Sequence, residues 1–232
     1  AANGEYAPVT VKGKIEFERK TNTHRLYFSG EDGSFMEEFK KMIPRFKIDY
    51  FNLTFTEDKS VYKPGKEPDE PKVGFFESPA NENIVYKDLN LQRTVSQKQV
   101  FESQFLLSDS IRKSEWKILP ETRTIAGFEC RKAITRIADS VVVVAFYTEE
   151  ILPSNGPESF GGLPGMILEI AIPRLYTTWV ATKLINDADE KMIAPPSKGK
   201  KSNLNEVSTK VNDGIKDWGE KYSGPAMWFV ML

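Results

Sequence analysis

Short segments of β-type sequence recur along almost the whole of residues 1–185. In Val11–Glu18, apolar and charged residues alternate, which is typical of a strand with one buried face. Val141–Tyr147 is apolar on both faces and therefore predicts a strand near the middle of a sheet. Taken together, these segments predict one curved, mostly antiparallel sheet of roughly seven to ten strands.

One predicted strand, Phe46–Phe55, changes phase halfway along. Its apolar residues occupy even-numbered positions as far as Tyr50 and odd-numbered positions from Phe51 onward. A slip of one residue inside a strand is typical of a β-bulge. The sequence therefore predicts a bulge near Tyr50-Phe51.

Two segments have helical rather than β periodicity. Over residues 34–43, apolar residues recur every three or four positions until Pro44 ends the pattern. The second segment is an amphipathic helix over about 203–222, which Gly224-Pro225 is expected to end. We expect both helices to cover the concave side of the sheet, which makes the fold class α+β.

The organisation along the chain indicates a single domain over residues 1–232. Its strand-rich part covers residues 1–185, and the loops are too short to be convincing domain linkers. The final segment, residues 226–232, is wholly apolar and would favour aggregation if it were exposed. We expect it to form a last strand of the sheet, with an interface to another protein as the alternative.

Charge and composition exclude several classes of function. The 32 Lys and Arg against 33 Asp and Glu give a net charge of −1, which argues against nucleic acid as a partner. No run approaches the ~20 apolar residues of a transmembrane segment. The only histidine, His24, and the only cysteine, Cys130, supply neither a nucleophile–base pair nor a Cys/His metal site. The sequence therefore predicts no catalytic residues, no metal and no cofactor, and so no enzyme.

Carboxylates leave one catalytic interpretation open. Glu149 and Glu150 are adjacent at a strand end, so their side chains should point to opposite faces. Glu169 lies inside an apolar strand, where a carboxylate must face solvent, pair with a cation or line a cavity. We expect Glu169 to face solvent. A carboxylate-based hydrolase is therefore the least favoured interpretation.

Residues 149–170 combine glycine and proline with apolar side chains, which is unusual for a flexible solvent loop. The pair Pro164-Gly165 fits a type II turn, in which proline fixes φ at the second position and glycine supplies a positive φ at the third. We therefore expect an ordered loop that folds over its own apolar residues and leads into a buried strand.

Residues 162–167 have the sequence GLPGMI, and residues 116–133 contain WKI followed by ETRTIAGFECRKA. These motifs resemble the GLPGLI family of Bacteroidota envelope proteins, most strongly over Ile111–Leu184. The resemblance implies a secreted protein of unknown function, in the periplasm or associated with the outer membrane, whose signal peptide has been removed. The strand order is also similar to half-barrel lipoprotein carriers of the LolA type, which is a fold-level analogy.

The resemblance and the missing catalytic groups favour a non-catalytic envelope protein that binds a protein partner, such as an outer-membrane transporter or assembly complex. The alternative is a soluble carrier of a lipid-like or other apolar ligand, held in an apolar cavity between sheet and helices. Candidate binding residues are large side chains in or near the motif-bearing segment and in the apolar tail. They are Trp116, Tyr147, Phe160, Leu163, Pro164, Trp179, Trp228 and Phe229.

Overall fold

The computed structural model describes residues 9–29, 34–70, 72, 80–218 and 220–232. The strands in those ranges are β1 (Gly13–Asn22), β2 (Phe46–Phe55), β3 (Lys59–Pro64), β4 (Ile84–Asp88), β5 (Arg93–Val100), β6 (Ser103–Ser110), β7 (Lys117–Ile125), β8 (Phe128–Ile137), β9 (Val141–Thr148), β10 (Met166–Ile172), β11 (Thr177–Ile185) and β12 (Lys200–Ser202). They form one sheet in the order β12-β6-β5-β4-β3-β2-β1-β11-β10-β9-β8-β7. Neighbouring strands are antiparallel, except that β12 and β6 are parallel.

Four α-helices accompany the sheet in the described part of the chain: α1 (Thr23–Phe28), α2 (Ser34–Met42), α3 (Leu204–Ile215) and α4 (Glu220–Val230). The predicted α+β class, with a mostly antiparallel sheet, is therefore confirmed. The first predicted helix is α2. The second begins as predicted, because the Asn203 side chain caps α3 by accepting a hydrogen bond from the Glu206 N–H.

The C-terminal segment is helical, so both the predicted helix end at Gly224-Pro225 and the predicted last strand were wrong. After a 3-10 turn at Lys216–Trp218, α4 passes through Pro225 and continues to Val230. Phe229 and Leu232 are each only 1% exposed. Burial of these apolar side chains outweighs the helix-breaking effect of the proline.

The predicted bulge in β2 was also wrong. The pairing of β1 with β2 is unbroken from Gly13 opposite Phe55 to Asn22 opposite Phe46. Lys47 and Asp49 are the buried residues in the first half of β2. The change of phase in the sequence therefore marks a polar stretch on the inner face of a regular strand.

The main core lies between the sheet and α4. It combines inward side chains of β1, β2 and β8–β11 with Phe229 and Leu232. A smaller core joins α3 to the β5–β6 hairpin through Val100, Phe105, Leu107, Val207, Val211, Ile215 and Val230. The interior of the sheet is thus filled by α4, while α3 covers one end of it.

The connection between β6 and β7 excludes a flat sheet. These strands lie ten positions apart in the sheet order, which would separate them by about 48 Å if the sheet were flat. Only residues 111–116 connect them, and a fully extended chain of that length spans about 24 Å. The two ends of the sheet must therefore approach each other.

Candidate functional site

A buried carboxylate lies in the β9–β10 loop (residues 149–165). Glu158 is 0% exposed; its Oε1 accepts a hydrogen bond from the Tyr62 hydroxyl at 3.1 Å and its Oε2 one from Asn83 Nδ2 at 3.0 Å. Its φ of 52° lies in the left-handed region, which is unfavourable for a residue with a side chain. The hydrogen bonds hold the carboxylate in place against this backbone cost.

Lys87 of β4 connects the same loop to the sheet through hydrogen bonds. Its ammonium donates to Asn155 Oδ1 at 3.0 Å, to the Gly156 carbonyl at 3.1 Å and to the Phe160 carbonyl at 2.6 Å. Burial lowers the pKa of Lys87 to about 7, although the nearby carboxylate of Glu158 acts in the opposite direction. The loop is therefore ordered, as predicted, and it is held by buried polar contacts as well as by apolar ones.

Arg19 continues these contacts across the inner face of β1 and β2. Its Nη2 donates to Asp49 Oδ2 at 2.9 Å and its Nη1 to the Ala80 carbonyl at 3.2 Å. The guanidinium also lies 5.0 Å from the centre of the Phe51 ring. We call Arg19, Asp49, Tyr62, Asn83, Lys87, Asn155 and Glu158 the interior polar network.

Beside this network is a cavity of about 430 Å³, between the β5–β6 hairpin, the start of α3 and the last residues of the chain. Within it, Lys98 donates to the Val230 carbonyl at 2.7 Å, and Arg112 Nη2 donates to the Met231 carbonyl. Arg112 Nη1 and Ser159 Oγ are buried and have no hydrogen-bond partner among the described residues. We call this space the polar cavity; its lining consists of Thr94, Ser96, Lys98, Leu107, Asp109, Ser110, Arg112, Ser159, Asn203, Leu204, Asn205, Met231 and Leu232.

A second cavity, of about 810 Å³, adjoins the polar cavity on the side of β7 and β8. The two cavities share Arg112, Leu204 and Met231 as lining residues. Strands from opposite ends of the sheet thus line two cavities that meet at these three residues.

His24 and Cys130, the residues that the sequence analysis considered for catalysis, have structural roles. The ring of His24 is hydrogen-bonded at 2.8 Å to the Ile43 carbonyl. Burial raises the pKa of the Cys130 thiol to about 12, which keeps it protonated and unreactive. Among the described residues, no group of three or more Cys, His, Asp and Glu side chains is arranged to hold a metal ion.

Glu169 does not face solvent, so that prediction was wrong. It is 8% exposed, and both of its carboxylate oxygens accept from Arg123 Nη1, at 2.8 and 3.0 Å. Arg123 also stacks 4.1 Å above the Phe146 ring. The carboxylate therefore pairs with a cation, which was one of the two other possibilities.

Most of the candidate binding residues are part of the interior. Tyr147, Phe160, Leu163, Trp179 and Phe229 are buried in the main core. Trp116 is half-buried and donates its indole N–H to the Gly161 carbonyl at 2.9 Å, Trp228 is half-buried, and Pro164 is exposed. The structure brings Trp116, Phe160 and Leu163 together around the β9–β10 loop. A binding role for these eight residues stays a prediction.

Sequence reasoning missed the residues that make the site polar, above all Lys87, Lys98, Arg112 and Glu158. A charged residue in an alternating strand normally marks the solvent face, so Lys87 between Tyr86 and Asp88 gave no signal of burial. The phase change in β2 was the one indication in the sequence of a polar interior. It arises because the polar residues Lys47 and Asp49 take the place of apolar ones on the inner face of this strand.

The stability of the chain should rise with pH between about 7 and 9.5. Because burial lowers the pKa of Lys87 to about 7, the native state releases a proton there that the unfolded chain still binds. The free energy of unfolding should then increase by at most about 1.4 kcal/mol per pH unit for that proton. Lys98, whose pKa burial lowers to about 8, acts with the same sign above pH 8. The Cys130 thiol, whose pKa burial raises to about 12, opposes this trend above about pH 8.5, and the raised pKa of buried Tyr62 opposes it above about pH 10.

Urea unfolding at half-unit steps of pH measures this dependence. In Lys87→Met the slope between pH 7 and 8 should fall towards zero, since the titrating group is gone. A natural chain whose unfolding free energy is constant over the window would contradict the buried, neutralisable lysine.

Comparisons with known proteins place the fold. The family model for the N-terminal domain of an N-glycanase peptide, PNGase F-II, matches residues 70–208, more than half of the chain. Solved structures of PNGF-II in the C2 and P21 space groups match it with TM-scores of 0.55 and 0.53 at 14% and 16% identity. The alignments cover 86% and 85% of this chain but only 32% of each PNGF-II chain. At these identities they show a shared fold. No curated protein matches the chain.

None of the described helices combines the length and the hydrophobicity that a membrane-crossing helix requires. In the described part of the chain, Phe160, Leu163 and Phe229 pack in the core inside the sheet. The alternative function of an apolar-ligand carrier was wrong, because the family model that matches the chain is that of an N-glycanase domain. An apolar ligand as such stays a prediction.

The family match corrects three further predictions. The assignment to the GLPGLI family was wrong, because the family model that matches the chain is a different one. The GLPGMI motif belongs to an ordered Gly/Pro-rich loop, and this loop occurs here in that other family. The predictions of a non-catalytic protein that binds an envelope partner, and of no enzyme, were also wrong, because the matched domain is part of an N-glycanase. This chain belongs to the family of PNGase F-II N-terminal domains, the N-terminal domain of N-glycanases.

Proposed function

We propose that this chain takes part in the removal of N-linked glycans from glycoproteins, as the N-terminal domain of an N-glycanase. The observation that carries the proposal is the family match over residues 70–208. The shared fold with PNGF-II supports it. The contribution of the chain is to bind the glycoprotein during glycan release.

We place the contact with the glycan in the polar cavity. Its volume of about 430 Å³ is in the range of small-molecule sites. Thr94, Ser96, Ser110, Asn203 and Asn205 supply hydroxyl and amide groups to its lining, and these can both donate to and accept from sugar hydroxyls. All five residues lie within the segment that the family model matches.

We also propose that the sheet forms a half-barrel of the kind predicted from the sequence. The six-residue connection between β6 and β7 supports this shape, because it brings opposite ends of the sheet together. The adjoining cavities, lined from both ends of the sheet, support it too. The predicted location in the periplasm or at the outer membrane, and a protein partner there, stay predictions.

A glycopeptide with one neutral N-linked glycan tests the proposed function. The purified chain is incubated with the glycopeptide and with the same peptide lacking the glycan. Released glycan is measured by mass spectrometry and binding of the two peptides by calorimetry. We expect the glycosylated peptide to bind about tenfold more tightly or better, since each well-made hydrogen bond adds about 1 kcal/mol.

Asn205→Ala is the matched test of the cavity. Asn205 lines the polar cavity and is exposed to solvent. The substitution should therefore weaken glycopeptide binding several-fold, and it should leave the free energy of unfolding unchanged. Asn212→Ala, on an exposed position of the same helix, is the control and should bind as the natural chain does. Equal binding of both peptides, with no glycan released, would overturn the proposed function.

A further inference from the structure

We infer that the polar cavity is an anion site, and that its ligand is an acidic sugar whose carboxylate lies against Arg112. The anion site follows from the cavity itself; the choice of a sugar rests on the proposed function. Three features of the cavity point to a negatively charged ligand.

The first feature is an uncompensated guanidinium. Burial lowers the pKa of Arg112, yet an arginine stays charged at any physiological pH. No carboxylate of the described residues lies within ion-pair distance of it. Its Nη1 is buried with no hydrogen-bond partner in the described part of the chain. A buried donor of this kind is costly unless an acceptor arrives.

The second feature is an excess of positive charge around the cavity. Lys98 is 4% exposed, lines the cavity and donates one of its hydrogens to the Val230 carbonyl. The carboxylate of Glu158 interacts with Lys98 and Lys87, but its own oxygens accept from Tyr62 and Asn83. The lysines can lose their protons to relieve this repulsion, whereas Arg112 cannot.

Among the described residues that line the cavity, Asp109 is the one with a carboxylate side chain, and it lies at an exposed position. There it is well hydrated and screened, so it offsets little of the charge inside the cavity. Among the side chains of the described lining, two cations, Lys98 and Arg112, therefore stand against this one carboxylate.

The third feature is the start of α3. Asn203, Leu204 and Asn205 line the cavity and form the cap and first turn of this 12-residue helix. The first amides of a helix have no carbonyl partner within it, and the helix dipole adds positive potential at this end. The Asn203 side chain already caps the Glu206 N–H, and Glu206 adds a negative charge to the first turn. The amides before Glu206 favour an anion in the cavity that Arg112 also lines.

The remaining lining favours a polyhydroxylated anion over a bare ion. Ser159 Oγ is buried without a hydrogen-bond partner among the described residues, and Ser96 is 8% exposed. A cavity of about 430 Å³ would be mostly empty around a single phosphate. A sugar acid would place its carboxylate at Arg112 and its hydroxyls at the serine and asparagine side chains.

The test is calorimetry of the purified chain with four probes. They are N-acetylneuraminic acid, its uncharged methyl ester, N-acetylglucosamine and inorganic phosphate. We expect the acid to bind at least about tenfold more tightly than its ester, since a charge-assisted hydrogen bond is about twice as strong as a neutral one. We expect Arg112→Gln to lower the affinity for the acid by about tenfold or more.

Two further variants distinguish a loss of binding from a loss of folding. Ser159→Ala removes an unpartnered buried hydroxyl, so it should leave stability equal or higher while it weakens acid binding by about two- to tenfold. Arg136→Gln is the control, because Arg136 lines the adjoining cavity and does not line this one. It should change the affinity less than about twofold.

Several results would overturn the inference. Equal binding of the acid and its ester, or no binding of the acid, would exclude an anion site. Phosphate that binds as tightly as the acid would exclude the sugar. Ser159→Ala or Arg136→Gln behaving contrary to expectation would exclude this cavity. Because the glycopeptide in the preceding test carries a neutral glycan, its binding without acid binding would leave the proposed function standing.

Discussion

Gly165→Ala should destabilise the chain by roughly 4 kcal/mol or more, or prevent folding altogether. A Cβ atom at this position would lie 2.0 Å from the Thr148 carbonyl oxygen and 2.8 Å from the Thr148 carbonyl carbon. Both are backbone atoms, and Thr148 pairs with Met166 where β9 meets β10. Relief of the clash would therefore break the strand pairing itself. Urea unfolding followed by tryptophan fluorescence and circular dichroism measures the loss.

The same substitution elsewhere in the chain provides the control. At Gly224, in α4, an added Cβ would meet no atom within 4 Å in the described structure. This clearance leaves out the adjacent Pro225, whose ring disfavours the helical region for a preceding residue that carries a Cβ. Because the gain in helix propensity offsets this contact, Gly224→Ala should change stability by less than about 1 kcal/mol. Equal unfolding midpoints for Gly165→Ala and the natural chain would contradict the close approach of the β9–β10 loop to β9.

Glu158→Gln should cost about 3–5 kcal/mol, the usual loss when one partner of a buried charge cluster is removed. The glutamine keeps the size of the side chain but removes the negative charge next to Lys87 and Lys98. Its amide group also cannot accept hydrogen bonds at both ends, as the carboxylate does from Tyr62 and Asn83. The loss should be larger at pH 6 than at pH 9, because at pH 9 the two lysines are already mostly neutral.

Glu169→Gln is the matched control for this prediction. Glu169 is also buried, at 8% exposed against 0% for Glu158, but its partner Arg123 has a side chain that is 51% exposed. When the carboxylate is lost, Arg123 can be hydrated instead, so the cost should be about 1 kcal/mol or less. If the two variants lost the same stability, the interior polar network would not be the cluster of coupled charges described above.

Strongly apolar or periodic segments predicted several elements closely. Val141–Tyr147 lies in β9, residues 34–43 contain α2, and the helix predicted from about residue 203 begins with α3. These patterns succeed because each depends on the side chains of one segment and the single face that it buries. Elements with mixed or polar sequence, such as β5 and β12, gave no such pattern.

The turn at Pro164-Gly165 shows a different limit. A glycine is required there, but not for the type II turn that the dipeptide suggested. Its φ of 155° is far from the ~80° of that turn, and the true constraint is the distance to Thr148. The lack of room for a side chain at Gly165 is caused by Thr148, which belongs to another segment of the chain. The sequence around Gly165 therefore cannot reveal why glycine is needed.

The site could not be predicted for the same reason. The lining of the polar cavity comes from four separated stretches: residues 94–112, Ser159, residues 203–205 and the last two residues. They meet because the sheet curves, and curvature follows from the whole order of strands rather than from any one of them. The Gly/Pro-rich loop, by contrast, was predicted to be ordered because its apolar residues are local.

The segment 111–116 holds β6 close to β7, although these strands lie near opposite ends of the sheet. The two cavities are complete only when both ends of the sheet are in place, because β5 and β6 line one of them and β7 and β8 line the other. A ligand in the cavity would then bind only chains that have closed. At 100 times its Kd such a ligand would add about 2.7 kcal/mol to the unfolding free energy. We expect a protease cut within residues 111–116 to weaken ligand binding, because it would separate β6 from β7 in the chain without cutting either strand.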